Sequence, residues 1–544
     1  MSSEGEEIIN STVNVAPAPA TIAYLNFDEA TLRRVERNDP AVQGLIIPEA
    51  EVVDWIEGAG RIIGESTYLR GMKIDVGSDY GLKKDWYHEI FLGVSRNRSN
   101  ESLELTFHRD HIPTVDVCHI LCSLFENNRN FPSFRVSHDS KQIKCLAPML
   151  SKYKKCSVLL SGPIWRSPLD EDDDTASLLN TLTGMHNLVE VELRYGILDE
   201  TGCIALARLL NNPAATIHTL SLESSYLDDE GITILSNVLT MTNNLTSLYM
   251  EDIFDVSEIG WYSLSLALAH PMCKLEKLWL GSTSINDEAI TELGEGLALN
   301  STLKCLSLVY NESITATGWK GFSICFRNPC SSFEEIELAL CGVDDDSASA
   351  IATALVGNSS LKRLDMGCND EITADGWAHV FHTLLFSVTA LEELWIFASY
   401  ADDPFDWTNH MDWTVLSRAL CDSTSIEMTY SSNHTFQSLA EEEDIQSYLI
   451  PVEILSLLQM NRNEKNKAEV ARRKILKCHF AEGGTNNHVF SRMPLTSMPV
   501  AIEWIGRHKS ELSLMYNVIR ELPMLFDVQN EPVVKKTEVL DVVE

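Results

Sequence analysis

Leu275-Glu276-Lys277-Leu278-Trp279-Leu280 reads apolar-x-x-apolar-x-apolar, and this hexad returns along the chain. Before it stand Leu188/Val191/Leu193, Ile217/Leu220/Leu222 and Leu245/Leu248/Met250. After it come Leu303/Leu306/Leu308, Phe333/Ile336/Leu338, Leu361/Leu364/Met366 and Leu391/Leu394/Ile396. The first positions step by 29, 28, 30, 28, 30, 28 and 30 residues, a rhythm that chance does not hold through eight copies. Such a period marks a repeat array, in which each unit hides its apolar side against its neighbours.

Each copy has a second half. A small residue follows the start of the hexad by about 14 or 15 positions: Gly202, Gly231, Gly260, Ala289, Gly318, Ala348 and Gly376. Acidic or hydroxyl residues stand just before it, as in Asp229-Glu230-Gly231, and suit the first turn of a helix, whose free N–H groups favour negative charge. Ile234, Leu235, Val238 and Leu239 then recur at helical spacing. One unit is a short strand, a loop and a helix. Trp261, Trp319 and Trp377 each follow the small residue directly, which predicts a packing role in or near the outer layer.

The pattern resembles the ribonuclease-inhibitor-like class of leucine-rich repeats, whose units run about 28 residues. That class often carries Asn or Cys at the ninth position, where the side chain ties down loop backbone. Asn311, Cys341 and Asn369 fill that slot, whereas Thr283, Ser225, Gly196 and Ser399 depart from it. The resemblance implies an α/β leucine-rich repeat solenoid, a horseshoe with parallel strands on the concave face and helices on the convex face.

Upstream, divergent copies are expected as strands at Gly44–Ile47, Leu69–Ile74, Asn100–Leu105, Phe131–Val136 and Lys155–Leu160. Downstream the rhythm lapses, and Ser425–Tyr430 reads as one last strand. Helical spacing resumes over Pro451–Phe480, with a further pair near Pro499–Ile505 and Leu512–Leu525, so a helical C-terminal cap is expected. The segments Ser432-Asn-His-Thr435, Leu457-Leu-Gln-Met-Asn-Arg462 and Ala471-Arg-Arg-Lys-Ile475 resemble an uncharacterised algal family of leucine-rich repeat proteins with a shared C-terminal extension. The expected organisation is a disordered acidic N-terminus at 1–22, divergent repeats at 23–184 and regular repeats at 185–400. A last irregular repeat with a loop at 401–450, the helical cap at 451–527 and a tail at 528–544 complete it.

The net charge of −37 opposes phosphate backbones, so nucleic acid and anionic membranes are disfavoured as partners. Between His186 and Tyr400 there are 30 Asp and Glu against 9 Lys and Arg. No stretch approaches the roughly 20 apolar residues that span a bilayer. The first ten residues, MSSEGEEIIN, lack the basic and apolar character of a secretory signal. Thirteen cysteines without framework spacing read as reduced thiols. A cytoplasmic protein is expected, with a nuclear location open because of the basic stretch from Lys465 to Lys477. That stretch is otherwise read as the solvated face of a tail helix. The sequons at Asn244 and Asn433 are then expected to be unused.

Side chains alternate along a strand. With positions 1, 4 and 6 inward, positions 3, 5 and 7 face the concave side. They give Tyr249 and Glu251, Lys277 and Trp279, Glu335 and Glu337, Asp365, and Trp395 and Phe397 as the candidate binding residues. Tyr249 and Trp279 share a column, and exposed aromatics are common interface anchors. The acidic members would steer a basic partner.

The sequence lacks phosphate-binding and hydrolase signatures, so no cofactor, metal or catalytic residue is expected and the chain reads as a non-enzyme. His108, His111, Cys118 and Cys122 have no standard zinc spacing. The expected function is that of a scaffold or adaptor docking a protein partner. The alternative is a regulator of a small GTPase, for which Arg194 is the best-placed arginine. Oligomeric state and partner identity are not encoded in any motif.

Overall fold

The structure is a computed structural model. It describes residues 24–47, 58–76, 84–99, 102–107, 133–138, 147, 151, 156–161 and 175–396 (except 242–243, 284, 328–331 and 388–389), then 412–440 and 450–480. The expected disordered N-terminus, the helical pair near 499–525, the tail, Phe397 and the four residues of the zinc-like set lie outside these segments.

The chain divides into two compact units. The first comprises Met1–Val256 with Met272–Leu275, and the second Ser257–Pro271 with Glu276–Glu544. In the first unit the strands are β1 Tyr24–Asn26, β2 Gly44–Ile47, β3 Gly71–Val76, β4 Ser102–Phe107, β5 Ser133–His138, β6 Cys156–Ser161, β7 Leu188–Arg194, β8 Thr219–Glu223 and β9 Ser247–Glu251. Each pairs in parallel with the next. Its helices are α1 Glu29–Glu36, α2 Ala59–Glu65, α3 Lys84–Arg96, α4 Thr175–Leu182, α5 Glu200–Leu210 and α6 Asp229–Leu239. At α2 and α3 the backbones meet, and a Cβ on Gly93 would lie 2.0 Å from the Gly60 carbonyl oxygen.

The second unit holds α7 Glu258–Leu268, β10 Lys277–Trp279, α8 Asp287–Leu297, β11 Cys305–Ser307, α9 Ala316–Phe322, β12 Glu335–Glu337, α10 Asp345–Ala354, β13 Arg363–Asp365, α11 Ala374–Ser387 and β14 Glu393–Trp395. Its strands are again parallel neighbours in chain order. Four helices follow: α12 Trp413–Leu420, α13 Ile426–Ser431, α14 Val452–Arg462 and α15 Lys467–Ile475, ending in a wider π-type turn, Leu476–Phe480. Both units are therefore α/β repeat solenoids, each a parallel sheet backed by helices.

Three side-chain ladders explain the repetition. The first caps the helices. Asp199, Asp228, Ser257, Asn286, Thr315 and Asp344 each accept a backbone N–H from the first turn of their helix, and they fall every 29 residues. The second closes the turn after each strand. Tyr195, Ser224, Asp252, Ser282, Tyr310, Leu340 and Cys368 all adopt a left-handed φ between 48° and 63°. Each such residue costs roughly 1–2 kcal/mol of strain, so something must hold it. At five of these seven turns the polar ninth-position side chain next to it does so, whereas Gly196 and Ile253 stand beside Tyr195 and Asp252. Asn311 donates to the Leu280 and Leu308 carbonyls and accepts from the Thr283 and Ile285 amides. Asn369 repeats this with Leu338, Met366, Cys341 and Val343. Thr283 and Ser225, which depart from the Asn/Cys rule, join the same ladder through their hydroxyls, to the Leu280 and Leu193 carbonyls. The third ladder was not read from the sequence. Asn212, Asn300 and Asn433 end a helix or follow one, and reach back to a carbonyl of the preceding repeat, Thr183, Leu268 and Leu385.

The hexad leucines fill the core: Leu220, Leu248, Leu278, Leu306, Ile336, Leu364 and Leu394 are all fully or almost fully buried. Trp261, Trp319 and Trp377 are buried too. Trp319 meets Phe322 edge-on at 5.9 Å, and Trp377 stacks on Phe381 at 6.1 Å. Upstream, β2 matches the expected span, whereas β3, β4 and β5 begin two residues later than expected and β6 one later. In the regular repeats too the ladder starts two residues beyond the first hexad position, as with Leu275 before Lys277, except at β7, which starts at Leu188 itself.

One expectation is overturned. Ser425–Tyr430 is no strand. Ser425 caps a helix by accepting the Met428 amide, and Ile426 and Thr429, three apart, are its buried residues. The last strand is instead extended by Gln437–Leu439, where the Leu394 and Ile396 amides donate to the Ser438 and Leu439 carbonyls at 3.0 and 3.1 Å.

Candidate protein-binding face

In the second unit the register sets two side-chain columns on the outward strand face. One runs Lys277, Cys305, Glu335, Arg363, Glu393, and the other Trp279, Ser307, Glu337, Asp365, Trp395. Alternation along three-residue strands puts both columns on one side, because the middle residues Leu278, Leu306, Ile336, Leu364 and Leu394 point into the core.

The first column is electrostatic. The Arg363 guanidinium pairs with Glu335 through Nη1 and with Glu393 at 2.9 Å through Nε. It also lies 4.8 Å from the centroid of the Trp395 ring, whose Nε1 donates to Glu393 at 3.1 Å. Lys277 is exposed and stands 5.8 Å over Trp279. Cys305 approaches Glu335 at 3.6 Å, and burial, followed by that carboxylate, pushes its thiol up to about 11.

The second column is less exposed. Burial pushes the Glu337 carboxyl up, and Glu335 adds to this; bonds from Ser307 and Trp279 and the charge of Arg363 oppose it. Asp365 is buried, and its Oδ1 accepts the Gly367 amide at 2.8 Å. It supports the turn after β13 and presents little surface. Trp279 and Trp395 are half-buried, each with a cation over its ring.

In the first unit, Tyr249 and Glu251 lie on β9, with Tyr249 in register with Ser221. Glu251 is exposed as a residue, yet shielding of its carboxyl, then Glu223 and Asp252, raise its pKa. Arg194 is committed to Glu192 at 2.5 Å and Glu223 at 2.9 Å. Burial alone would lower its pKa, and the two carboxylates outweigh that and raise it.

The three segments behind the algal resemblance meet at one backbone carbonyl, that of Asn433. Lys474 Nζ donates to it at 2.9 Å and to the Leu420 carbonyl at 2.6 Å. Asn461 Nδ2 reaches it at 3.5 Å and the Phe436 carbonyl at 2.5 Å. Lys474 is wholly buried, and desolvation pulls its pKa down to about 7. The basic stretch is thus not simply a solvated face. Arg472 pairs with Glu469 and Arg473 with Glu464, while Lys477 donates to Ser456. The sequon amides of Asn244 and Asn433 both donate to backbone carbonyls, of Ala215 and Leu385.

With this geometry in view, the comparisons are specific. A leucine-rich repeat family model matches residues 357–376, which hold a whole strand motif, Asn369 and the following helix start. These are leucine-rich repeats. The chain is 32% identical over 192 residues to the mouse (Mus musculus) protein "NACHT, LRR and PYD domains-containing protein 14", covering 35% of this chain and 19% of that one. It is 26% identical over 209 residues to mouse ribonuclease inhibitor, covering 38% and 45% respectively, and 27% identical over 210 residues to the pig (Sus scrofa) ribonuclease inhibitor, covering 39% and 45%. The chain spans less than half the length of the curated relatives it matches. These matches agree with repeats of the ribonuclease-inhibitor-like kind. Among the described residues, no group of His, Cys, Asp and Glu forms a metal-binding cluster, and no helix is long and apolar enough to cross a membrane.

Proposed function

We propose that this protein is a non-enzymatic scaffold or adaptor that docks a basic protein partner on the strand face of its second unit. Leucine-rich repeats generally mediate protein–protein interaction, and this reading narrows that role to one surface. The observation that carries it is the register column that begins and ends in tryptophan, Trp279 and Trp395, with the desolvated Glu337 between them. Two part-exposed tryptophans supply anchors of low conformational cost. A carboxylate held above its usual range gains from an incoming cation, because the partner restores the charge stabilisation that burial removed. Lys277, Glu335 and Glu393 form the neighbouring polar rim, while Tyr249 and Glu251 are candidate contact residues of the first unit by itself. Arg194, the residue that a GTPase-regulating role would use, is already held by two carboxylates. The C-terminal extension shared with the algal proteins belongs to the same reading as a closure of the array, and location in the cytoplasm or nucleus is compatible with it.

The test is affinity capture from native cell extract with the full chain, followed by titration of the captured partner in purified form. Trp279→Ala combined with Trp395→Ala should abolish capture while the melting temperature moves little. Undiminished binding by that variant would overturn the assignment of this face. Glu337→Gln should weaken binding and flatten its salt dependence.

A further inference from the structure

The helical layer after β14 contains a close thiol pair that no repeat feature requires. Cys421 follows the end of α12, and Cys478 sits in the π-type turn after α15. Their sulfurs are 3.2 Å apart although 57 residues separate them in sequence. Both residues are half-buried, whereas Cys203, Cys273, Cys325 and Cys341 are buried. Two lysines flank the pair: Lys474, buried one helical turn before Cys478, and Lys477 beside it. We propose that Cys421 and Cys478 form a peroxide-reactive dithiol that closes to a reversible disulfide and locks α12 to the end of α15.

The chemistry balances with hydrogen peroxide as the oxidant. The Cys478 thiolate attacks one peroxide oxygen; the S–O bond forms, the O–O bond breaks, and the departing hydroxide takes a proton to become water. Cys421 then attacks the sulfenyl sulfur. The S–S bond forms, the S–O bond breaks, and the second hydroxide leaves as water with the Cys421 proton. Two thiols lose two electrons and one peroxide becomes two waters. Cys478 is the first nucleophile because the hydrogen bond from Cys421, then the nearby Lys477 and Lys474, hold its pKa down, while the same contact and burial push Cys421 up. Bond formation needs the sulfurs to approach by only about 1 Å, from contact to covalent distance.

The full chain, reduced and then freed of reductant, is exposed to one equivalent of hydrogen peroxide. The reaction is stopped with N-ethylmaleimide under denaturing conditions, and the protein is digested for mass spectrometry. The expected product is a Cys421–Cys478 crosslinked peptide, two fewer alkylated thiols per chain, and full recovery of both with a thiol reductant. In Cys421→Ser, a dimedone adduct should accumulate on Cys478, and in Cys478→Ser, Cys421 should stay unmodified. The wild-type measurement stands alone if either variant fails to fold. Oxidation that spares this pair while modifying Cys305 or Cys368, or a dimedone adduct on Cys421 instead of Cys478, would overturn the proposal.

Discussion

The Arg363 guanidinium lies 4.8 Å from the centroid of the Trp395 ring and binds two carboxylates, those of Glu335 and Glu393, on strands to either side. One cation thus fixes an aromatic side chain in place and spaces two acids on a face that is otherwise short of positive charge.

Arg363→Ala should loosen that arrangement. Glu335 and Glu393 lose their shared partner, and Trp395 loses the cation over its ring. The pair is partly exposed, so solvent screening limits the cost to about 1 kcal/mol of stability. Chemical denaturation at low and high salt checks this, and the deficit should shrink as salt rises. Arg363→Lys should recover less than half, because one ammonium cannot hold both carboxylates in the same geometry.

Asn311→Ala removes four hydrogen bonds from buried backbone and leaves the Thr283 and Ile285 amides unsatisfied, while the Leu280 and Leu308 carbonyls keep the Thr283 hydroxyl and the Cys341 thiol. The expected loss is about 2–4 kcal/mol in urea unfolding. Asn311→Cys should cost less, since Cys341 does this work one repeat later by donating to the Leu308 carbonyl at 3.0 Å. Equal losses for Ala and Cys would show that packing, not bonding, sets the value of the position.

Ser282→Gly should stabilise the protein. Ser282 sits at φ 52°, where a side chain is strained and glycine is not. The gain, after the added freedom of the unfolded chain, is roughly 0.5–1 kcal/mol in the same measurement. Glycine at Leu278, on the adjoining strand, should act in the opposite sense and far more strongly.

Acid should weaken the C-terminal helical layer. Burial, then the charge of Lys474, lowers His434 to about 4, and burial also lowers His479, whose Nε2 lies 2.7 Å from Thr429 Oγ1. Both histidines stay neutral in the folded chain while the unfolded chain takes up protons below its ordinary value near 6.5. Stability is therefore full above about 6.5 and falls toward pH 4, by roughly 1–2 kcal/mol for His434 once partial solvent exposure is allowed for. Melting curves across that range check the slope, and His434→Gln should flatten it.

The regular repeats were legible because leucine spacing states both the strand and its inward face, and Leu220, Leu248 and Leu278 fill the core as their positions require. The ninth-position rule was only half legible. It named Asn311 and Asn369, yet Thr283 and Ser225 serve the same ladder with a hydroxyl, which a residue-type rule does not credit. The end of the array misled because Ile426 and Met428 alternate like a strand, while burial follows Ile426 and Thr429 at helical spacing. The useful signal lay just beyond, in Asn433-His-Thr-Phe436, which repeats the spacing of Asn300-Ser-Thr-Leu303 and Asn358-Ser-Ser-Leu361. On the candidate face the sequence named the tryptophans, but it could not show that Asp365 holds the Gly367 amide. Nor could it show that Cys421 meets Cys478, since nothing local joins positions so far apart.

The capping residues fall every 29 positions, whereas the hexads from Ile217 onward alternate between steps of 28 and 30. The two series coincide again only after a pair of repeats, 28 plus 30 residues, or 58. From Ile217 onward, cutting out or duplicating one repeat would therefore shift by one residue either the spacing of successive helix starts or that of successive strands. In that stretch the smallest segment that can be deleted or multiplied while both spacings are kept is the doublet.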